Sequence, residues 1–429
     1  MAARTCLFSG FAAFAVFAAG GCLGIYGDIS DLEDSTVIHE SSRPDDVASE
    51  DYAIQTIFGG SGADGVKVTV LGRSPAGVVN LRFDRSGGLD SSGVQLGSDF
   101  NDINASVPVA SFPARFDAND SIALGLPLAN GGARIALFDA DASQIDTKQF
   151  RLNDIPTGVS IGISNVSLDT DLDQPDLVAV AAQTLTMFAN YPAANPQPAV
   201  ENTFTCTMPE AAINVFSGDV FGQAVDGDEV AVAIGGTVRV IDGATIEAQS
   251  TAMADCFVAG VRAEITAPMG ELDFGSQILV ADLDDSGSNE LIVTAPSAGR
   301  VYVFFDIAEG AVPAPVMLQN EGGFGTAIAV GDLDADGIVE LAVGAPSATV
   351  DGVVGAGQVH VFNGEPGALP AAIDPPLALA DSESNGAFGR ALTVGKFDDV
   401  DDLLVVGAQN KLFVYFQHPL GNDEDPRVP

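Results

Sequence analysis

The sequence predicts an all-β fold, a seven-bladed β-propeller of four-stranded blades, and three observations predict it. A strand signature of apolar, any residue, apolar, then aromatic or Ile recurs at intervals of 50–63 residues: Ile135–Phe138, Leu185–Phe188, Val238–Ile241, Val301–Phe304, Val359–Phe362 and Leu412–Tyr415. A fainter seventh copy is Val79–Arg82. Apolar runs of strand length precede these signatures, among them Ser121–Gly125, Asp176–Val180, Glu229–Ala233, Glu290–Thr294 and Glu340–Val343; their length and flanking Gly and Asp suit strands. Finally, a unit of this size cannot bury its own apolar faces, so repetition implies stacking, and seven units of four short strands point to a propeller.

The clearest unit begins at Phe324. Its first strand is expected over Phe324–Val330, its second over Glu340–Val343 and its third over Gln358–Phe362. The unit returns upstream from Phe274 and downstream from Phe388. Outer fourth strands are expected at Lys148–Leu152, Asn202–Thr207, Arg262–Thr266, Pro315–Leu318 and Pro376–Leu379. Phe221-Gly222 and Phe58-Gly59 read as the opening dipeptide of degenerate copies. The tail after Phe416 is too polar for a last fourth strand, so an N-terminal strand is expected to close the ring and remove an open edge. Asp51–Ile57 is preferred for that role, with Thr36–His39 as the alternative; Asp51–Ile57 could equally open the first blade.

Between the first two strands of the Phe324 unit stand Asp332, Asp334, Asp336 and Glu340, with Gly337 at the sixth position. Carboxylates at positions 1, 3, 5 and 9 of a tight turn can converge on one hard cation, and the Gly lets the backbone fold back. The equivalent loop upstream offers Asp282, Asp284, Ser286 and Glu290; Ser at position 5 removes one charge and lowers the expected affinity. A third acidic run, Asp169, Asp171 and Asp173, ends at Asp176, one residue off the pattern and without Gly. The competing reading of each is an acidic solvated turn. None is an EF-hand, because position 12 is Val293 or Val343 inside a strand.

These residues bear a family resemblance. Phe-Gly, a DxDxDG-type loop and Gly344-Ala345-Pro346 in one unit resemble the FG-GAP repeat of the integrin α-subunit propeller; Thr294-Ala295-Pro296 and Gly407-Ala408-Gln409 are near matches. The resemblance is specific over 274–417 and fades towards the N-terminus. It implies a seven-bladed propeller with calcium in the hairpins between strands one and two. It also implies that the carbonyls of Ile338 and Ser288 serve as position-7 ligands.

The N-terminus reads as an export signal. Arg4 is its only charge, Phe11–Ala19 is an apolar run too short to span a bilayer, and Gly20-Gly21-Cys22 follows. It resembles a bacterial lipoprotein signal in which Cys22 is acylated, although Ala19 stands where that family usually has Leu. An ordinary secretory signal or a short buried segment are the alternatives. The expected organisation is a lipoprotein signal at 1–21, an acidic flexible tether at 22–50, the propeller at 51–417 and an acidic tail at 418–429. Localisation in a bacterial outer membrane or on the cell surface follows, with the membrane held by the lipid anchor only. Export permits Cys206 and Cys256, one repeat apart, to form a disulfide; two buried thiols are the alternative.

With 59 Asp and Glu against 17 Lys and Arg, the chain has a net charge of −42, which repels nucleic acid and anionic lipid. Hydrophobic residues make up 47% of the chain, too many for disorder over most of it. Catalytic motifs are absent: no nucleophile elbow, paired-histidine metal motif or phosphate loop is found. The three histidines are His39, His360 and His418, and His360 reads as a packing residue. Two functions stay open. One is a non-catalytic, calcium-binding propeller, a monomer engaging a protein or glycan in adhesion. The other is an exported hydrolase or lyase built on the same scaffold.

Overall fold

A computed structural model describes residues 39–42, 54–62, 65–73, 76–83, 89–95, 110–116, 119–127, 133–139, 148–152, 160–164, 176–188, 203–221, 228–248, 260–308, 310–333, 337–364, 371–372, 386–396, 402–409 and 411–415. The described strands group into four-stranded antiparallel sheets, seven in all. The first is Ile54–Gly62, Gly65–Arg73, Ala76–Phe83 and Leu89–Gln95. The second is Ala110–Phe116, Asn119–Pro127, Ala133–Asp139 and Lys148–Leu152. The third is Ser160–Ser164, Asp176–Ala181, Thr184–Phe188 and Thr203–Thr207. The fourth is Ala212–Gly218, Glu229–Ile234, Thr237–Asp242 and Val261–Thr266. The fifth is Ile278–Ala281, Glu290–Ala295, Arg300–Phe304 and Val316–Gln319. The sixth is Ala327–Gly331, Glu340–Ala345, Gln358–Asn363 and Ala371–Ala372. The seventh combines Ala391–Lys396, Asp402–Gly407 and Lys411–Tyr415 with His39–Ser42. Among the described residues the one α-helix is Gly243–Ala248, and no helix is long and apolar enough to cross a membrane.

All seven signature runs lie in the third strands of these sheets. The second strands Asp176–Ala181, Glu229–Ile234, Glu290–Ala295 and Glu340–Ala345 are buried at every position. That explains why they read as continuous apolar runs: strands covered on both faces have no solvent side to alternate with. The core lies between consecutive sheets. One apolar cluster joins the third sheet to the fourth, another the fourth to the fifth, a third the fifth to the sixth, and a fourth the sixth to the seventh. The first strand of each sheet contacts the first strand of the next, and Ala391–Lys396 contacts Ile54–Gly62.

The Phe-Gly dipeptide is the device that joins one sheet to the next. Phe274, Phe324 and Phe388 are fully buried. Each meets two rings of its own third strand edge-on: Phe274 with Tyr302 and Phe304, Phe324 with His360 and Phe362, Phe388 with Phe413 and Tyr415, all at 5.3–6.4 Å between centroids. The following glycine turns the other way. Gly389 has φ +84°, and a Cβ there would fall 2.6 Å from the Gln358 carbonyl of the preceding sheet. A side chain is excluded both by conformation and by space.

Several expectations are corrected. The strand completing the seventh sheet is His39–Ser42, paired from His39↔Val414 to Ser42↔Lys411, and not Asp51–Ile57. Ile54–Gly62 instead forms a long local hairpin with Gly65–Arg73, down to the Gly62↔Gly65 pair, and a local hairpin closes with little chain entropy lost. The completing strand thus falls inside the segment read as a tether. The fourth strand of the sixth sheet is Ala371–Ala372, paired with Phe362 and Asn363. The expected Pro376–Leu379 lies outside the described residues. Phe58-Gly59 lies within a first strand and Phe221 follows one, so neither dipeptide opens a repeat. In the Phe324 unit the strand itself begins at Ala327, after the turn.

Candidate metal centre

The loop between the first two strands of the fifth sheet is described throughout. Asp282 closes it on itself: its carboxylate accepts the amides of Ser286 at 3.0 Å and Gly287 at 2.9 Å. Asp284 accepts the Ser286 amide at 3.1 Å, and the Ser286 hydroxyl accepts the Ser288 amide at 3.2 Å. Gly287 turns with φ +82°. Carboxylate oxygens of Asp282, Asp284 and Glu290 come within 4.8 Å of one another, the spacing that would let one cation touch all three.

Glu290 is the odd member. It is 0% exposed, at the start of a buried strand. Its Oε2 accepts the Leu283 amide at 2.7 Å, while its Oε1 is buried without a hydrogen-bond partner. Burial pushes the carboxyl up to about 7, and the charges of Asp284, Asp282 and Asp306 add to the shift against the Leu283 hydrogen bond. A carboxylate held this way lacks a counter-charge among the described residues, and a cation among Asp282, Asp284 and Glu290 would supply one. The donor set is all oxygen, which fits calcium better than a soft metal.

The sixth sheet repeats the arrangement where it is described. Glu340 is 0% exposed and accepts the Leu333 amide at 2.7 Å, and Asp332 accepts the Gly337 amide at 3.1 Å. Gly337 has φ +94°. Asp334 and Asp336 lie outside the described residues, as do Asp169, Asp171 and Asp173; Asp176 is fully buried at the start of its strand.

The fourth sheet supplies an internal control that the sequence reading missed. Glu229 is buried, starts its second strand and accepts the Val220 amide at 3.0 Å, as Glu290 and Glu340 do with theirs. Here a guanidinium from the fourth strand approaches the carboxylate. Arg262 Nη1 is 3.9 Å from Glu229 Oε1, and Nη2 is 3.1 Å from Asp242, which also accepts the Thr245 hydroxyl at 3.0 Å. The signal for Glu229 was present: an acid opens the second strand in the Glu229, Glu290 and Glu340 runs alike. What hid it was the lack of the DxDxDG spacing before it.

His360 is buried edge-on to Phe324, with Nε2 3.3 Å from the Asn320 amide nitrogen, and burial lowers its pKa. Glu271 accepts from Tyr302 at 2.8 Å, from Arg300 and from the Met269 amide at 3.2 Å. Cys206 is buried and disulfide-bonded; Cys256 and Cys22 lie outside the described residues.

The FG-GAP repeat model matches residues 324–362, which run from the buried Phe-Gly turn through the acidic loop to the end of the third strand. That stretch is an FG-GAP repeat, within an all-β chain of antiparallel sheets. No curated protein matches the chain.

Proposed function

We propose that the chain is a seven-bladed, integrin α-like FG-GAP propeller, stabilised by calcium in its strand-one to strand-two loops. We propose further that it is non-catalytic, exported, and held by a lipid on Cys22 to a bacterial outer membrane or cell surface, where it engages a protein or glycan in adhesion. The first-strand contacts running from sheet to sheet, and from the seventh back to the first, support the ring. The single observation that carries the calcium reading is the Glu290 Oε1 atom, buried and unpartnered beside Asp282 and Asp284. Leaving such a carboxylate without a counter-charge is costly, and in the fourth sheet Arg262 stands 3.9 Å from the equivalent Glu229 carboxylate.

Calcium in this reading does no chemistry. The residues of this chain hold it: Asp282, Asp284, Ser286, Glu290 and the Ser288 carbonyl in one loop, and Asp332, Asp334, Asp336, Glu340 and the Ile338 carbonyl in the next. An ion bound only to the native state stabilises it by RT ln(1 + [L]/Kd), about 2.7 kcal/mol at a hundredfold excess over Kd. The test is calorimetric melting of the purified chain in millimolar calcium, in magnesium and in chelator. Calcium is expected to raise the melting temperature and magnesium to do so poorly. Superimposable curves in calcium and chelator would remove the calcium reading.

A further inference from the structure

Asn289 ties the acidic loop of the fifth sheet to the fourth sheet. Its side-chain amide donates to the Asp219 carbonyl at 2.8 Å, a half-buried bond between residues 70 apart in the chain. Asn289 immediately precedes Glu290, whose buried Oε1 has no hydrogen-bond partner beside Asp282 and Asp284. Asp219 immediately precedes Val220. The Val220 amide donates to the Glu229 carboxylate at 3.0 Å, and its side chain is buried in the apolar cluster joining the fourth and fifth sheets. One bond therefore connects the neighbour of a candidate ligand with the segment that opens the corresponding loop of the preceding sheet. At the same loop position the sixth sheet has Val339, which packs against the cluster joining the fifth and sixth sheets. An apolar contact there is non-directional, whereas the Asn289 amide holds a defined distance and angle.

A second tie of the same kind stands at the other end of these two sheets. Asn214 Nδ2 donates to the Ser276 carbonyl at 3.1 Å, where the first strands Ala212–Gly218 and Ile278–Ala281 begin. Both strands run from the Asn214–Ser276 tie towards the Asn289–Asp219 tie. The two bonds join the same pair of sheets, but the Asn289 bond adjoins the carboxylates and the Asn214 bond does not. Asp282, Asp284 and Glu290 repel one another until a cation joins them. A cation drawn to them would fix the Glu290 end of the loop and with it the Asn289 side chain. The ordering then passes to Asp219 through the hydrogen bond, and coupling of this kind needs no change of fold.

We propose that Asn289 is a positioning residue through which a cation in the 282–290 loop fixes the Asp219–Phe221 segment, so that ion binding in the fifth sheet clamps the fourth. This rests on the calcium reading above, and its test keeps the two apart. Hydrogen exchange of the full chain would be followed by mass spectrometry in saturating calcium and in chelator, for the wild type, Asn289→Ala, Asn289→Val and Asn214→Ala. Slow exchange of the buried strand Glu290–Ala295 in chelator identifies a folded variant. In the wild type, calcium is expected to slow exchange at 282–290 and also, by at least about 5-fold, at 219–221. In both Asn289 variants the slowing at 282–290 should remain and that at 219–221 should vanish. In Asn214→Ala both should remain. A purely structural role for Asn289 would speed exchange at 219–221 equally with and without calcium, and that result would overturn the proposal. So would calcium protection of 219–221 that survives in the Asn289 variants or is lost in Asn214→Ala. Loss of the slowing at 282–290 in the Asn289 variants would make the residue part of the ion site and overturn it likewise. Slowing at 282–290 alone in the wild type would overturn the coupling and leave the calcium reading intact. No calcium effect at either segment would overturn the calcium reading itself, and the coupling with it.

Discussion

Glu290 accepts the Leu283 amide at 2.7 Å, and in the next sheet Glu340 accepts the Leu333 amide at the same distance. One oxygen of a buried acid thus closes the loop, while the other oxygen of Glu290 stays without a partner. The substitution Glu290→Gln separates the two roles. Its Oε1 can still accept the Leu283 amide, but the charge is gone. In chelator the variant is expected to be about 1 kcal/mol more stable than wild type, because a buried charge beside Asp282 and Asp284 is removed. In calcium it is expected to be less stable by about 1–3 kcal/mol, because a charged ligand is lost. Urea unfolding in both conditions reads the reversal of sign; the same sign in both would refute the role assigned to Glu290.

The Gly-Ala-Pro element and the Phe-Gly turn meet across two sheets. A Cβ on Gly344 would fall 1.9 Å from the Gly389 carbonyl of the seventh sheet, an oxygen fixed by the Phe388-Gly389 turn. Gly344→Ala is expected to cost about 2–4 kcal/mol by forcing these backbones apart. Gly270→Ala is the control: its φ is +79°, but a Cβ there meets nothing within 4 Å. Only the conformational strain of about 1–2 kcal/mol should appear. Equal losses for the two variants, measured by urea unfolding, would show that contact between sheets is not what Gly344 provides.

Strands whose surroundings are the same in every repeat were legible in the sequence. The third-strand signature worked because its rings face a buried Phe in each of the last three sheets, so the pattern is under the same constraint each time. Phe-Gly alone was not enough: Phe58-Gly59 lies inside the strand Ile54–Gly62 and not in a turn ahead of it. The strand His39–Ser42 was hardest to place, because its partner Lys411–Tyr415 lies at the other end of the chain and no local pattern records a pairing at that separation. In the acidic loops, spacing picked out Asp282, Asp284 and Glu290, whose carboxylates come together. The role of Glu229 depends on Arg262, which is more than thirty residues away and was read only as a strand residue.

The proposed attachment to a membrane is separable from the fold. Cys22 follows the Phe11–Ala19 apolar run and Gly20-Gly21, and stands ahead of the His39–Ser42 strand. Metabolic labelling with a fatty acid is expected to mark the wild-type chain and not Cys22→Ser, and the variant should leave the membrane fraction for the soluble exported one. A processed, unlabelled and soluble wild-type chain would refute lipidation. The melting temperature of the variant should match that of the wild type released from membrane, since Cys22 lies outside every described sheet.

The pH dependence of stability in chelator should carry a contribution from Glu229. Burial pushes its carboxyl from 4.5 up to about 7; the Val220 amide and the Arg262 charge oppose this, and Asp219 adds to it. The native state therefore holds a proton on Glu229 over a range where the unfolded chain has released it. That contribution to stability is fully present below about pH 4.5, declines as pH rises and is lost above about pH 7. Glu290 shifts in the same direction, so the wild-type curve alone does not isolate Glu229. Glu229→Gln does: it keeps the group neutral at every pH and can still accept the Val220 amide. The stability of the wild type minus that of Glu229→Gln is expected to fall by about 1–3 kcal/mol between pH 5 and pH 8. Arg262 sets the size of this fall, because it favours the ionised carboxylate from 3.9 Å away. Replacing it, as in Arg262→Gln, should steepen the difference against the matched double variant. Parallel curves for the wild type and Glu229→Gln across that range would mean that Glu229 is ionised throughout, with Arg262 already neutralising it.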